Sequence, residues 1–209
     1  MLEIIPSINV SDFTEAKKRI KQVERYVSWV HLDVSDGVFT KHISWHDPKD
    51  LVDFKSKPNI EVHLMIDSPE KMIDAWLATA AKRLIFHQEA TREHDLIINK
   101  IHDLQKEVGI AIKPDTNWLK IFPYLDKVEL VQFLAVNPGP SGQEFDEQIL
   151  HKIGHVRSLS PRCMIEVDGG VNKAVAERSI KEGANLLVAG NAIFGSKNIN
   201  RAIKELKNE

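Results

Sequence analysis

The stretch Trp29-Val-His-Leu-Asp-Val34 is a short, largely apolar run that is rich in β-branched residues. A run of this kind predicts a strand, and because alternate residues of a strand point to the same face, His31 and Asp33 are expected to lie on one face, and so are His87 and Glu89 in a similar run. Seven similar runs recur along the chain. The eight candidate strands are Glu3 to Asn9, Trp29 to Val34, Ile60 to Leu64, Arg83 to His87, Gly109 to Ile112, Leu130 to Val136, Met164 to Val167 and Leu186 to Ala189.

Amphipathic stretches with helix start signals separate most of these candidate strands. Strand and helix units that repeat in this way require parallel pairing, and eight of them predict a (β/α)8 TIM barrel. A doubly wound open sheet is the alternative. In that fold the binding crevice lies at the ends of only a few strands, so most of the charged strand ends would not reach one site. The start signals and the helices they precede are Ser11-Asp12 before Phe13 to Val27, Ser68-Pro69-Glu70 before Met72 to Ala80, and Thr91 before His94 to Glu107.

Length and composition indicate one compact domain. With 209 residues, of which 43% are hydrophobic and 28% charged, the chain is long enough for one sizeable core and short for two. We therefore expect residues 1–209 to form a single barrel domain. Because this length is near the lower limit for the fold, short helices are expected at Pro48 to Lys55 and Trp118 to Tyr124.

Charge and cysteine content limit the classes of partner. The formal net charge is −2 and neither sign forms a long run, so nucleic acid and membrane are not expected partners. The single cysteine, Cys163, excludes an intramolecular disulfide. The first residues lack a secretion signal and no apolar segment is long enough for a membrane helix, which predicts a cytoplasmic protein. Barrels of this size often associate, so we expect a homo-oligomer.

Polar side chains occur where several of the predicted strands end. In a barrel such ends surround a single site, which predicts that Ser7, His31, Asp33, His63 and Asp168 meet there. Burying two carboxylates and two imidazoles together without a partner would cost several kcal/mol of desolvation. One divalent cation, either zinc, iron(II), manganese or cobalt, would suit this set of nitrogen and oxygen ligands.

Glycine-rich pieces follow the sixth, seventh and eighth candidate strands, at Gly139 to Gly142, Gly169-Gly170 and Gly190-Asn191. Glycines let backbone amides approach an anion closely, and the loops after the last strands of a barrel commonly hold phosphate. Together with the acidic cluster, they predict an enzyme whose substrate has a phosphate at one end and reacting carbons at the other.

Seven motifs occur in order over nearly the full chain. They are Ile5-Pro-Ser-Ile, His31-Leu-Asp-Val-Ser-Asp-Gly37, Glu61-Val-His-Leu-Met65, Phe86-His-Gln-Glu89, Ala135-Val-Asn-Pro-Gly-Pro-Ser-Gly-Gln143, Ile165-Glu-Val-Asp-Gly-Gly-Val171 and Val188-Ala-Gly-Asn-Ala-Ile-Phe194. Together these motifs resemble the ribulose-phosphate 3-epimerase family. The resemblance implies a metal-dependent epimerase that inverts carbon 3 of a ketose phosphate, most simply D-ribulose 5-phosphate to D-xylulose 5-phosphate, through a metal-stabilised enediolate.

The resemblance also implies roles for individual residues. His31, Asp33, His63 and Asp168 would bind the metal, and Asp33 and Asp168 would be the acid/base pair that transfers the proton. Ser7, His63 and Asp168 would contact the substrate. Phosphate contacts would come from Gly139, Pro140, Ser141, Gly142, Gly169, Gly170, Val171, Gly190 and Asn191.

Three positions depart from the pattern of the family. Ser35 and Leu134 stand where methionines are usual, and Pro140 stands in the phosphate loop where an aromatic residue is usual. Ser35 is expected to make the wall beside the reacting carbons more polar, and Pro140 to stiffen the loop. Lys41 and His42 replace other residues near the predicted mouth, where we expect them to be solvated loop residues.

Other functions compatible with the sequence are an epimerase of a six-carbon ketose phosphate and a catalytically silent barrel that binds a phosphometabolite. A decarboxylase of the same barrel group is disfavoured. Such enzymes carry Asp-x-Lys-x-x-Asp on the third strand, whereas this chain has Glu61-Val-His-Leu-Met-Ile66.

Overall fold

Eight parallel strands close into a barrel in the computed structural model, which describes residues 2–209. Each strand pairs with the next along the chain, and the first pairs with the last. The structure thus confirms the (β/α)8 TIM barrel and excludes the doubly wound open sheet. The strands are β1 (Glu3–Ile8), β2 (Trp29–Ser35), β3 (Asn59–Met65), β4 (Arg83–His87), β5 (Glu107–Ile112), β6 (Leu130–Leu134), β7 (Met164–Asp168) and β8 (Leu186–Ala189).

The helices between the strands are shorter than the sequence predicted. The first predicted helix, Phe13 to Val27, ends at Val23, and the second, Met72 to Ala80, is reduced to five residues. The segment Trp118–Tyr124 is a 3₁₀ helix as long as expected, whereas the one that begins at Pro48 ends at Leu51. The α-helices are α1 (Phe13–Val23), α2 (Ile73–Leu77), α3 (His94–Asp103), α4 (Gln148–Leu159), α5 (Lys173–Glu182), α6 (Asn191–Phe194) and α7 (Ile199–Lys207).

Capping side chains explain where several helices begin. The carboxylate of Asp12 accepts a hydrogen bond from the backbone N–H of Glu15 at the start of α1, as the sequence signal predicts. Asn172 caps α5 in the same way, through a bond from the N–H of Val175. Among residues 2–209, no helix has both the length and the apolar character to cross a bilayer.

The core has two apolar parts. The larger lies between the strands and the helices and includes Trp76, which is fully buried. The smaller part, inside the barrel, contains Ile5, Ile85, Ala111, Leu130, Leu186 and Val188. The remaining buried side chains of the interior include the ionisable residues His31, Glu61 and Glu166. The interior of this barrel is therefore partly apolar and partly ionic, and the ionic part determines the site.

Gly109 on β5 leaves no room for a side chain inside the barrel. A Cβ atom at this position would lie 2.9 Å from Ile85 Cγ1 and 2.9 Å from Leu130 Cδ2. We expect Gly109→Ala to lower the free energy of unfolding by about 1–3 kcal/mol, because both side chains must shift. Urea denaturation measures this.

Gly154 in α4 is a matched control, because a Cβ there meets only the end of the Glu182 side chain. Gly154→Ala is expected to stabilise the protein by up to about 1 kcal/mol through helix propensity. A Gly109→Ala protein as stable as the wild type would contradict this account of the interior.

Candidate active site

A cavity of about 390 Å³ opens at the carboxyl ends of the strands. It lies where a TIM barrel is expected to hold its active site. The predicted site residues that line it are Ser7, Asp33, Gly139, Pro140, Ser141, Gly142, Asp168, Gly169, Gly170, Val171, Gly190 and Asn191. The two remaining predicted residues, His31 and His63, are fully buried and contact the aspartates.

Four side chains from β2, β3 and β7 converge on one point. Asp33 Oδ1 lies 3.3 Å from His31 Nε2 and 3.1 Å from His63 Nδ1. Asp168 Oδ2 lies 3.8 Å and 3.4 Å from the same two nitrogens. One ligand atom from each of the four residues lies within 4.8 Å of all the others, so this group could hold a single metal ion.

The ring of His31 presents an unpaired nitrogen to this point. Its Nδ1 lies 2.7 Å from Glu61 Oε1, and Nε2 is buried without a hydrogen-bond partner among the described residues. Burial alone would raise the pKa of Glu61, but the hydrogen bond and charge of His31 and the charge of Arg83 lower it, so Glu61 is a carboxylate. The Nδ1–H therefore donates to Glu61, which leaves Nε2 to face the two aspartates with either a lone pair or a second proton.

The unpaired Nε2 atom is the observation that fits a cation. A lone pair and two carboxylates cannot stabilise one another unless a positive charge lies between them. The pKa values show the same need. Burial would lower the pKa of His31, but the charge and proximity of Asp33 and the hydrogen bond to Glu61 raise it well above its usual value, so a proton on the ring meets this need when no metal is bound. A divalent cation would supply this charge, with nitrogen and oxygen ligands of the kind expected.

Each aspartate has a further partner that fixes its orientation. Ser7 donates a hydrogen bond of 2.7 Å to Asp33 Oδ2, and Gln132 Nε2 donates one of 3.3 Å to Asp168 Oδ2. Burial opposes ionisation of Asp33, yet the charge of His31 and the hydrogen bonds from His31 and His63 hold its pKa well below its usual range. Asp33 is therefore a carboxylate, with one oxygen held by Ser7 and the other directed at the imidazoles.

His63 has a partner on its other side. Its Nε2 lies 2.9 Å from Nε2 of His87, whose Nδ1 lies 3.2 Å from Glu89 Oε2. Burial lowers the pKa of His87 to about 4. The pKa of Glu89 falls to about 2, because hydrogen bonds from His87, Thr116 and the Lys113 backbone outweigh the effect of burial. His87 is therefore neutral and Glu89 ionised at neutral pH.

The sequence prediction for His87 and Glu89 was wrong in one respect. Alternation along a strand was expected to place them on the same face, but β4 ends at His87, and Glu89 lies in a 3₁₀ turn, Gln88–Ala90. The two side chains meet because the turn brings Glu89 back onto the imidazole, and neither residue lines the cavity.

Below the aspartates, a buried arginine neutralises further carboxylates. Arg83 Nη1 lies 2.5 Å from Glu61 Oε2, and Nη2 lies 2.5 Å from Glu107 Oε2. Glu166 is fully buried, and neither of its oxygens has a hydrogen-bond partner within residues 2–209. Burial and the charge of Glu61 raise the pKa of Glu166 well above its usual value, so it is neutral in the folded protein.

Sequence reasoning missed Glu61 and Glu166, although the signal was available. Each lies two residues before a predicted site residue on the same strand, Glu61 before His63 and Glu166 before Asp168. The alternation that places His31 and Asp33 on one face therefore applies to these pairs too. The supporting role of Gln132, by contrast, has no sequence signal.

The glycine-rich loops form the other end of the cavity. Gly142 and Gly170 have φ values of 89° and 67°, which favour glycine. A Cβ on Gly170 would lie 2.7 Å from the backbone nitrogen of Phe145. Bare backbone therefore lines the cavity here, which suits the approach of an anion.

The loop after β6 is attached to the loop after β2 directly through Thr40 and indirectly through Asn9, which follows β1. Thr40 Oγ1 donates a hydrogen bond of 2.8 Å to the carbonyl of Pro138, and Asn9 Nδ2 donates one of 3.1 Å to that of Gly139. His42 Nε2 lies 3.1 Å from Asn9 Oδ1. Lys41 is exposed as expected, whereas His42 is half-buried in this contact rather than solvated. The two loops therefore form one rim.

The apolar side of the cavity is formed by Met65, Leu134, Val136 and Val188. Ser35 lies behind Met65, fully buried, with its hydroxyl oxygen 4.0 Å from Met65 Sδ. The Ser35 hydroxyl is therefore separated from the cavity by the thioether. Ser35 therefore affects the polarity of the cavity wall only through Met65 and not by direct exposure of its hydroxyl.

The chain matches known proteins over nearly its whole length. Residues 3–194 match the model of the ribulose-phosphate 3 epimerase family. The chain is 35% identical to ribulose-phosphate 3-epimerase of Bacillus subtilis, over 99% of each chain. It is 33% identical to ribulose-phosphate 3-epimerase of Schizosaccharomyces pombe, over 99% of this chain and 92% of the relative.

Solved structures with low sequence identity share the fold. A 3-hexulose-6-phosphate synthase from Salmonella typhimurium superposes with a TM-score of 0.76 at 10% identity, covering 99% of this chain and 97% of that one. A protein described as KGPDC from Streptococcus mutans gives a TM-score of 0.74 at 13% identity, covering 99% of this chain and 96% of that one. At these identities the likeness concerns the barrel alone.

The buried ion pairs of Arg83 predict a large loss of stability when the guanidinium is removed. Arg83→Met keeps most of the side-chain volume but leaves Glu61 without its cation inside the barrel. We expect the free energy of unfolding to fall by about 3–5 kcal/mol, as measured by chemical denaturation.

Arg178→Met is the matched control, because Arg178 pairs with Glu147 at the surface, where the two side chains are 44% and 59% exposed. Its loss should cost less than about 1 kcal/mol. Equal effects of the two substitutions would contradict the role given to Arg83.

Proposed function

The chain belongs to the ribulose-phosphate 3-epimerase family and is an epimerase that acts on a sugar phosphate, and on that premise we propose that it interconverts D-ribulose 5-phosphate and D-xylulose 5-phosphate. The observation that carries this proposal is the placement of Asp33 and Asp168. The two carboxylates come from non-adjacent strands, β2 and β7, and converge on one buried cluster beside the cavity.

The proposed chemistry is proton transfer by these two aspartates. Inversion at carbon 3 requires a base that takes the proton from one face and an acid that returns a proton to the other. One aspartate, as the carboxylate, accepts the proton from carbon 3, and the electron pair left behind moves into the adjacent ketone to give an enediolate. The other aspartate, in its protonated form, then donates to the opposite face. Reversal uses the same groups in exchanged roles.

The proposed metal ligands are His31, Asp33, His63 and Asp168. A divalent cation bound there, either zinc, iron(II), manganese or cobalt, would supply positive charge beside the oxygens on which negative charge develops. Ser7 would keep Asp33 aligned through its hydrogen bond, and Gln132 would do the same for Asp168. These two contacts support a fixed position for both proton-transfer groups.

The proposed position of the substrate follows from the two ends of the cavity. The phosphate would lie against the backbone of the loops after the last three strands, and Ser7 and His63 would contribute near the reacting carbons. The proposed phosphate contacts are Gly139, Pro140, Ser141, Gly142, Gly169, Gly170, Val171, Gly190 and Asn191. Membership of the family favours this enzyme over a catalytically silent barrel. A homo-oligomeric state and a cytoplasmic location are predictions from the sequence alone.

Deuterium incorporation tests the proposal. In D₂O, the wild-type protein should introduce deuterium at carbon 3 of D-ribulose 5-phosphate while forming D-xylulose 5-phosphate, as followed by NMR. Assayed with the metal in excess, so that the amide oxygen can still serve as a ligand, Asp33→Asn and Asp168→Asn should each slow epimerisation by about 10²–10⁴-fold, because one proton-transfer group is lost. Each variant should retain exchange in only one of the two epimers, through the aspartate that remains.

A six-carbon ketose phosphate is the matched alternative substrate in the same assay. Faster exchange with that sugar would replace the proposed substrate and keep the mechanism. Absence of deuterium at carbon 3 from every ketose phosphate would contradict the proposal itself.

Metal removal is expected to abolish epimerisation while the barrel stays folded. Added metal should restore activity and raise the free energy of unfolding by about 2.7 kcal/mol at a free concentration 100 times its Kd. His31→Asn should lose this stabilisation. His102→Asn, which alters an imidazole that is 40% exposed, should retain it. Full activity of the metal-depleted protein would contradict the metal requirement.

A further inference from the structure

His87 is not one of the four proposed metal ligands but contacts one of them, His63, and Glu89 in turn contacts His87. The two rings of His63 and His87 meet through their Nε2 atoms at 2.9 Å, a distance at which one nitrogen must carry a proton and the other must accept it. The direction of this hydrogen bond determines which nitrogen of His63 has a free lone pair.

Glu89 sets that direction. Its Oε1 atom accepts hydrogen bonds from the Lys113 backbone N–H, at 2.9 Å, and from the Thr116 hydroxyl. These bonds help to lower the pKa of Glu89 to about 2, so Glu89 is a carboxylate and its other oxygen, Oε2, also accepts. His87 Nδ1, 3.2 Å from Oε2, must then be the donor.

The position of the proton on His87 determines the position of the proton on His63. An imidazole in its ordinary form carries one proton, and since that of His87 is on Nδ1, its Nε2 has a lone pair and accepts the hydrogen bond. His63 must therefore carry a proton on Nε2, and its Nδ1 faces Asp33 and Asp168 at 3.1 Å and 3.4 Å, where a cation would take the place of any second proton. The opposite tautomer of His63 would point an N–H at the metal position.

The surroundings prevent the rings from turning away from this arrangement. His63 and His87 are both fully buried. The ring of Phe39 lies 4.8 Å from that of His87, centroid to centroid, and Lys113 Nζ lies 4.9 Å from the centroid of Phe39. These contacts close the outer side of His87, so its hydrogen bond to His63 stays internal.

We propose that His87 and Glu89 are positioning residues that hold His63 in the Nε2–H tautomer and thereby direct its Nδ1 lone pair at the cation. This inference rests on the proposed function, because it assumes that His63 is a metal ligand. It gives the motif Phe86-His-Gln-Glu89 a role in metal binding without contact between His87 or Glu89 and the substrate. Outer partners of metal-bound histidines commonly change metal affinity by about 10–100-fold.

The test is titration of the metal-depleted protein with cobalt(II), followed by the visible absorption of the bound ion. His87→Phe keeps a planar ring but removes the acceptor for His63, and should weaken cobalt binding by about 10–100-fold. His87→Gln should recover part of the affinity, because its amide oxygen can accept from His63 while its N–H donates to Glu89.

His94→Phe is the matched control. His94 is a buried imidazole whose Nε2 lies 2.9 Å from the carbonyl of Gln88, and it is not one of the residues that approach the proposed ligands. Its cobalt affinity should equal that of the wild type. Thermal unfolding of each metal-depleted variant checks that the barrel is intact.

The outcomes separate the inference from its premise. Cobalt affinity of folded His87→Phe within about threefold of the wild type, against the expected loss, overturns the inference and leaves the proposed metal site standing. An equal loss in His94→Phe, or no recovery in His87→Gln, overturns it as well. A wild-type protein that takes up no cobalt overturns the metal site itself.

Discussion

The structure depends on the burial of ionisable groups inside a closed barrel. Four carboxylates and three imidazoles of the interior are at most 6% exposed; they are Asp33, Glu61, Glu166, Asp168, His31, His63 and His87. Such groups are tolerated only when each is paired or neutral. Arg83 neutralises the lower part of the set, and Glu166 holds its proton there. The upper part of the set surrounds Asp33 and Asp168. Among the described residues it has no basic side chain other than the imidazoles, so a cation would be accommodated there.

Outer hydrogen bonds then determine what the upper part presents to a ligand. Glu61 fixes the ring of His31 from below, and the pair of His87 and Glu89 approaches His63 from the side. These contacts all come from strands β3 and β4 or the turn that follows β4, so a rigid sheet rather than a mobile loop holds the imidazoles. Rigid placement of this kind is what metal binding and proton transfer both require.

Much of the fold and the site could be predicted from the sequence because the period of two in a strand is strict. It placed His31 with Asp33, and it would have placed Glu61 with His63 had it been applied there. The helix ends could not be predicted equally well. The apolar pattern of α1 continues to Val27, but the chain turns after Val23 to reach β2, which begins at Trp29. The contact between His63 and His87 depends on ring rotation, which no sequence pattern encodes.

The rim formed by the loops after β2 and β6 has a consequence for protein engineering. Because Thr40 and Asn9 hold the carbonyls of Pro138 and Gly139, residues 137–143 are not an independent module. If this segment were replaced by that of a homologue, its backbone carbonyls would require hydrogen-bond donors that the facing residues of this barrel do not supply. Transplantation therefore has to carry both sides of the rim together, and a library that varies one side alone would sample mostly mismatched pairs.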